Sequence, residues 1–181
     1  MDGTATISHV NGTLFSELTT SRQWGNDPTS RLEVSVLLSR GTSDDSVITI
    51  QHEIPVIPIN HEVIYRLHTD LNSTGILHDD SGLELYPSEA DQHLPISGRY
   101  HTAVLSAAIR EEKTGGRQLT FLNQHTKGVA SLRPGEFEYM MIRRINGTDD
   151  QGPWPLNETT PLSLRVGFLA GQTDVVEPER L

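Results

Sequence analysis

Two stretches decide the fold: Leu32-Glu-Val-Ser-Val-Leu-Leu38 and Glu136-Phe-Glu-Tyr-Met-Met141. In the first, Leu32, Val34, Val36 and Leu38 alternate with Glu33, Ser35 and Leu37. In the second, Phe137, Tyr139 and Met141 alternate with Glu136, Glu138 and Met140. Successive side chains of a strand point to opposite faces, so a period of two marks a strand with one face turned to a core. The same period runs through Val63, Tyr65 and Leu67, through Leu83 and Leu85, and through Leu162, Leu164 and Val166. No stretch of about twelve residues carries an apolar stripe at helical spacing.

Turn signals separate these runs. Asn11-Gly12 has the composition of a type I′ hairpin turn. Gly41-Thr-Ser-Asp-Asp45, Asp79-Asp-Ser-Gly82, Gly115-Gly116 and Asn146-Gly147 punctuate the rest, and Gly115-Gly116 joins the run Ala103–Arg110 to Gln118–Leu122. Pro55 and Pro58 sit inside a strand-like segment, so that strand is an edge or is broken there. Many short strands with regular turns predict an all-β fold, a large antiparallel β-sandwich. One domain over residues 1–173 is the simplest division, with an acidic, frayed tail at 174–181.

The 181 residues carry 24 acidic and 14 basic side chains, a formal charge of −10. A chain this acidic repels phosphate backbones, which argues against a nucleic-acid partner. No apolar run approaches the ~20 residues that span a bilayer, so no membrane segment is expected. No basic stretch followed by an apolar core opens the chain, so no signal peptide is visible. Cysteine is absent, which removes disulfides, thiolate nucleophiles and Cys-ligated metal centres.

Four of the seven Asn open Asn-x-Ser/Thr triplets: Asn11, Asn72, Asn146 and Asn157. Ser and Thr together number 33, so chance would supply only about one such triplet. The excess points to N-glycosylation and a luminal route, as part of a longer precursor.

Few constellations carry chemistry. His78-Asp79-Asp80, with His68 and Asp70 upstream, is the densest ligand-type cluster, but Asp-Asp-Ser-Gly is also an ordinary turn. His101 with Glu111 or Glu112 would make an acid–base pair only if the fold joined them. No nucleophile elbow, phosphate-binding loop or zinc-protease helix is present, so no catalytic or metal-ligating residue is assigned. Arg143 and Arg144 end a strand ahead of Asp149 and Asp150, where a guanidinium fork could order the loop or reach a site carboxylate. Trp24 and Trp154 are the candidates for a sugar platform.

The order of further motifs resembles the glycoside hydrolase family 38 α-mannosidases, of the lysosomal or acid type, in their C-terminal β region. The resemblance is carried by Glu62-Val-Ile-Tyr-Arg-Leu-His-Thr-Asp-Leu-Asn-Ser-Thr-Gly-Ile-Leu-His-Asp-Asp-Ser-Gly82, then Pro95–Tyr100, Arg117-Gln-Leu-Thr-Phe-Leu122 and Gly128-Val-Ala-Ser-Leu-Arg-Pro-Gly-Glu-Phe-Glu138. It closes with Met140-Met-Ile-Arg-Arg144, Asp149-Asp150 and Pro155-Leu-Asn-Glu158. Ile142 stands where the family has His, and Gln151-Gly-Pro-Trp-Pro155 replaces the family's Arg-Gly stretch.

The resemblance implies a galactose-mutarotase-like β-sandwich that follows a catalytic domain. Zinc and the nucleophilic carboxylate are expected in that absent domain, so the chain alone is expected to be inactive and to hold no cofactor. The implied partner is an α-mannosidase catalytic domain, in cis or as a separate chain, with mannose-containing glycans as further ligands and a lysosomal or secreted location. Arg143 and Arg144, with Asp149 and Asp150, are the residues expected to face the catalytic cleft. A free-standing carbohydrate-binding module or a mutarotase-like epimerase is the alternative.

Overall fold

The computed structural model describes residues 5–25, 27, 30–40, 47–89, 93–113, 115–144 and 159–172. Thirteen strands are found among them: β1 (Ala5–Asn11), β2 (Phe15–Gln23), β3 (Arg31–Ser39), β4 (Val47–Ile54), β5 (His61–His68), β6 (Gly75–His78), β7 (Tyr86–Glu89), β8 (His101–Ala103), β9 (Ser106–Arg110), β10 (Arg117–Asn123), β11 (Lys127–Ala130), β12 (Glu136–Arg144) and β13 (Leu162–Gln172). The described residues contain no α-helix, only a 3₁₀ turn at Ile96–Arg99. The strands hydrogen-bond as a nine-stranded sheet, β1-β2-β3-β4-β13-β10-β9-β6-β7, and a four-stranded sheet, β5-β12-β11-β8. The expected all-β sandwich is thus the fold.

The chain divides into two compact units, Met1–Val63 with Met141–Val166, and Ile64–Met140 with Gly167–Leu181. In the first, β1 to β4 form an antiparallel meander with long, unbroken registers. β4 stops at Ile54 and β5 starts at His61. Pro55 and Pro58 lack the N–H that a ladder needs, and Asn60 takes φ 64°, so the segment turns. The hairpin turn is displaced by two residues from the expected one, with Thr13 and Leu14 rather than Asn11 and Gly12 at its centre. Asn11 pairs Ser16, and the loop closes through the Gly12 N–H on the Phe15 carbonyl at 2.8 Å. The Asn11 side chain takes a different role: its Oδ1 accepts from Ser16 Oγ at 2.8 Å and Arg40 Nη2 at 3.1 Å.

In the second unit the core lies between the two sheets. Phe121 of β10 and Phe168 of β13 meet Phe137 and Tyr139 of β12, with centroids 4.9–6.3 Å apart across the four cross-sheet pairs. Aromatic pairs at such separations add to what their buried area contributes. Two expected runs are corrected here. Leu83 and Leu85 belong to no strand, since Gly82 at φ 74° bends the chain and the ladder begins only at Tyr86. The run Ala103–Arg110 is not one strand either. It breaks between β8 in the small sheet and β9 in the large one.

The cause of that break is Asp79. Its buried carboxylate accepts the backbone N–H groups of Val104, Leu105 and Ser106, the last at 2.8 Å, together with the Ser106 hydroxyl. Backbone donors held by a side chain are unavailable to a ladder, so the chain changes sheets at this point.

Candidate functional site

The twin arginines end β12 within the first unit. Arg144 Nη1 donates to the Ile57 carbonyl at 2.5 Å, in the Pro-containing turn after β4. Arg143 Nε lies 3.0 Å from Glu62 Oε1, and both side chains are well exposed. Adjacent residues of a strand point to opposite faces, which accounts for the different partners. Arg144 thereby fixes the turn at a fully buried Ile57, while Arg143 makes a surface ion pair. The expected partners Asp149 and Asp150 lie outside the described residues, as do Asn146, Asn157, Trp154 and the tail 174–181. Asn11 and Asn72 are described, and both are exposed. Trp24 is half-buried, with its backbone N–H on the Ser30 carbonyl.

The second unit contains a polar group the sequence reading missed. Glu138 is 1% exposed although it lies on the face of β12 turned away from the aromatic core. Arg66 Nε donates to its Oε2 at 2.6 Å, and the Tyr100 hydroxyl donates to its Oε1 at 2.5 Å. Two residues along each strand, His68 Nδ1 stands 3.5 Å from Glu136 Oε1. The signal was present in the sequence. Arg66-x-His68 and Glu136-x-Glu138 have matching spacing and opposite charge, which an antiparallel pair brings together. Charge pairing raises the Arg66 guanidinium above its ordinary value, its hydrogen bond to Glu138 contributing most.

The other sequence candidates are not joined. Glu111 binds Arg117 Nη2 at 2.9 Å, Lys113 Nζ at 3.1 Å and the Arg117 backbone N–H at 3.1 Å. Arg117 also reaches Asp70 at 2.9 Å. These donors lower the Glu111 carboxyl to about 2, the Arg117 side chain most of all. His101 instead stacks on His78, centroids 4.6 Å apart. Burial first, and then His78, push the His101 imidazolium down, the reverse of what a carboxylate partner would do. His78 has both ring nitrogens engaged, Nδ1 with the Thr102 carbonyl at 3.1 Å and Nε2 with Ser88 Oγ at 2.9 Å. A carbonyl only accepts, so Nδ1 donates to it. With Asp79 bound to backbone, the His78-Asp79-Asp80 stretch does not offer a metal its donors, and among the described residues no group of three or more His, Cys, Asp or Glu converges to hold one.

Among the described residues no helix is long and apolar enough to cross a membrane. No model of a known protein family matches the chain. Individual relatives do. The chain is 28% identical over 149 residues to the epididymis-specific α-mannosidase of Sus scrofa, covering 75% of this chain and 14% of that protein. It is 29% identical over 119 residues to α-mannosidase B of Dictyostelium discoideum, covering 61% and 12%. Against the human lysosomal α-mannosidase it is 33% identical over 100 residues, covering 50% and 10%. The match therefore spans roughly a tenth of the length of these relatives. Several α-mannosidases are thus similar to this chain over a small part of their length, in agreement with the resemblance read from the order of motifs in its sequence.

Proposed function

We propose that this chain is the C-terminal, non-catalytic β-sandwich region of a retaining, zinc-dependent α-mannosidase, packed against the catalytic domain and closing one wall of its cleft. The observation that carries the reading is the shape of the match. Three quarters of this chain aligns within 14% of the pig enzyme, so a small region of a large enzyme corresponds to most of this one. The chemistry agrees with a supporting role. Three of its buried carboxylates are engaged within the chain: Glu138 with Arg66 and Tyr100, Glu111 with Arg117, Asp79 with the β8–β9 connection. A retaining glycosidase needs two carboxyl groups about 5 Å apart with access to a sugar between them. In this reading those groups and the zinc are held by the catalytic domain, and Arg143 and Arg144 approach its cleft. The name of the human relative and the four Asn-x-Ser/Thr triplets favour a lysosomal or luminal location.

The test has two arms. The purified chain should not hydrolyse a chromogenic α-mannoside, with or without added zinc. A chimera in which this chain replaces the matching region of the pig enzyme should be secreted and active. Zinc-dependent turnover by the isolated chain, or an inert chimera, would overturn the proposal.

A further inference from the structure

His78 and His101 lie where the margins of the two sheets meet in the second unit. His78 ends β6, next to the edge strand β7 of the large sheet, and His101 opens β8, the edge strand of the small one. Their registers turn both rings toward the core. His78 opposes Ala107, which opposes Phe121; His101 opposes Val129, which opposes Tyr139. Directly opposed residues share a face, so each histidine lies on the face of its sheet that carries the aromatic core. The rings stack with centroids 4.6 Å apart and planes 22° from parallel. His78 adds two hydrogen bonds, from Nδ1 to the Thr102 carbonyl of β8 at 3.1 Å and between Nε2 and Ser88 Oγ of β7 at 2.9 Å. One residue thus joins β6, β7 and β8. The strand it holds is short: β8 has three residues and pairs β11 at three positions. Short, lightly paired segments open locally before the whole fold does.

The surroundings of His101 favour a neutral ring. From β6 it meets His78, and Asp79 beyond it gives its carboxylate to the N–H groups of Val104, Leu105 and Ser106. Asp80 and Glu84, in the β6–β7 loop, are exposed. β7 presents Tyr86, and β9 and β10 present Ala107 and Phe121. β11 puts a cation, Lys127, on the same face as Val129, and β12 puts Tyr139 there, its phenol raised by burial. Glu136 and Glu138 of β12 alternate with Phe137 and Tyr139 and lie on the opposite face, where Tyr100 binds Glu138. Among the described residues, then, no carboxylate is placed to balance a charge on His101. Burial first, and then His78, hold its imidazolium below the ordinary 6.5.

We propose that the His78–His101 stack is an acid-released latch: a proton taken up by His101 parts the rings and frees β8 and the β6–β7 margin from one another, whether or not the function proposed above holds. The sign follows from the lowered imidazolium. The stack's contribution is fully present above pH 6.5 and is lost as pH falls below it, toward the lower value of the folded chain.

Hydrogen exchange of the whole chain, read by mass spectrometry and corrected for the intrinsic rate at each pH, tests this. One proton changes an opening equilibrium by at most about ten-fold per pH unit. From pH 6.5 to about pH 5, protection of the peptides covering 75–89 and 98–106 should therefore fall several-fold, within a ceiling of about thirty-fold. Protection of 61–68 and 136–144, in β5 and β12, should hold within about two-fold. His101→Phe keeps a ring for the stack and cannot take a proton, so its protection at 98–106 should be flat across the same window. A second measurement needs no variant: the His101 Cε1–Hε1 signal in NMR should titrate below pH 6.5, at the midpoint of the loss of protection. Equal losses in the unmodified chain and His101→Phe, a uniform loss that includes β5 and β12, or a His101 signal that titrates at or above pH 6.5 would each overturn the latch.

Discussion

Replacing Gly135 by Ala tests how the second unit is held, with Gly115→Ala as its control. Both glycines have a left-handed backbone, φ 73° and 65°. That conformation costs an L-residue about 1–2 kcal/mol, partly offset by the roughly 0.4–1 kcal/mol that Gly→Ala gains from a stiffer unfolded chain. Their surroundings differ. A Cβ on Gly115 meets nothing within 4 Å, whereas one on Gly135 would lie 2.6 Å from the Thr69 carbonyl oxygen and 2.9 Å from that of Leu71. Those oxygens belong to the backbone and cannot rotate away. The segment is also tied down: the Thr69 N–H and hydroxyl both donate to the Gly135 carbonyl, at 2.8 and 2.9 Å, and the Gly135 N–H donates to buried Ser73 Oγ at 3.1 Å. Relieving the overlap therefore means shifting backbone, about 1–3 kcal/mol for overpacking, and lengthening at least one buried hydrogen bond worth about 1 kcal/mol. Gly115→Ala should cost about 1 kcal/mol and Gly135→Ala about 3–5 kcal/mol. At roughly 2–4 °C per kcal/mol for a chain of this size, the first variant loses a few degrees and the second about 10 °C or more. Thermal melts followed by near-ultraviolet circular dichroism read both, since the core aromatics report on packing. Equal shifts for the two variants would refute the argument that the Thr69 and Leu71 carbonyls dictate the glycine.

Four further outcomes are expected. Asp79→Asn keeps one acceptor oxygen but loses the charge that binds three backbone N–H groups, so it should destabilise by about 2–3 kcal/mol in the same melt. Arg144→Ala should cost about 1–3 kcal/mol through the Ile57 carbonyl, and Arg143→Ala less than about 1 kcal/mol, because its pair with Glu62 is exposed; denaturant titration of the two single variants checks the order. The Glu111 carboxyl is lowered from 4.5 to about 2, so the stability it contributes is fully present above pH 4.5 and is lost as pH falls toward 2. Acid titration of Glu111→Gln should accordingly be flatter across that window than that of the unmodified chain. Expression behind a secretory signal should glycosylate Asn72, an exposed residue, and Asn72→Gln should remove a glycosidase-sensitive mass increment.

The architecture was legible because its cause is local. A period of two needs only neighbouring residues, and Leu32–Leu38 and Glu136–Met141 became β3 and β12. Gly115 likewise marks the β9–β10 turn, and Pro55 and Pro58 mark the break after β4. The expectations that failed depended on something distant. The run Ala103–Arg110 has the apolar content of one strand, yet it crosses between sheets because Asp79, some 25 positions earlier, holds its backbone. Asn11-Gly12 has the composition of a tight turn, yet its side chain is taken by Arg40 across the meander.

The candidate site divides along the same line. That Arg143 and Arg144 end a strand on opposite faces follows from alternation, and the structure agrees. Their partners follow from tertiary folding: a proline turn offers the Ile57 carbonyl to one, and β5 offers Glu62 to the other. Glu138 is the instructive case. A lone Glu inside a strand reads as a solvated residue, and Glu136 and Glu138 together read as the wet face of β12. Arg66 and His68 carry the complementary pattern 70 positions earlier, and only the pairing of the two charge patterns identifies a carboxylate enclosed under Tyr100 and Arg66. A buried ion is tolerable only when its partners are fixed, so such a pair constrains which strand lies beside which. The charge alternation in Glu62–His68 and Glu136–Arg144, both inside the motifs that carry the resemblance to the α-mannosidases, therefore helps to specify the register of the small sheet.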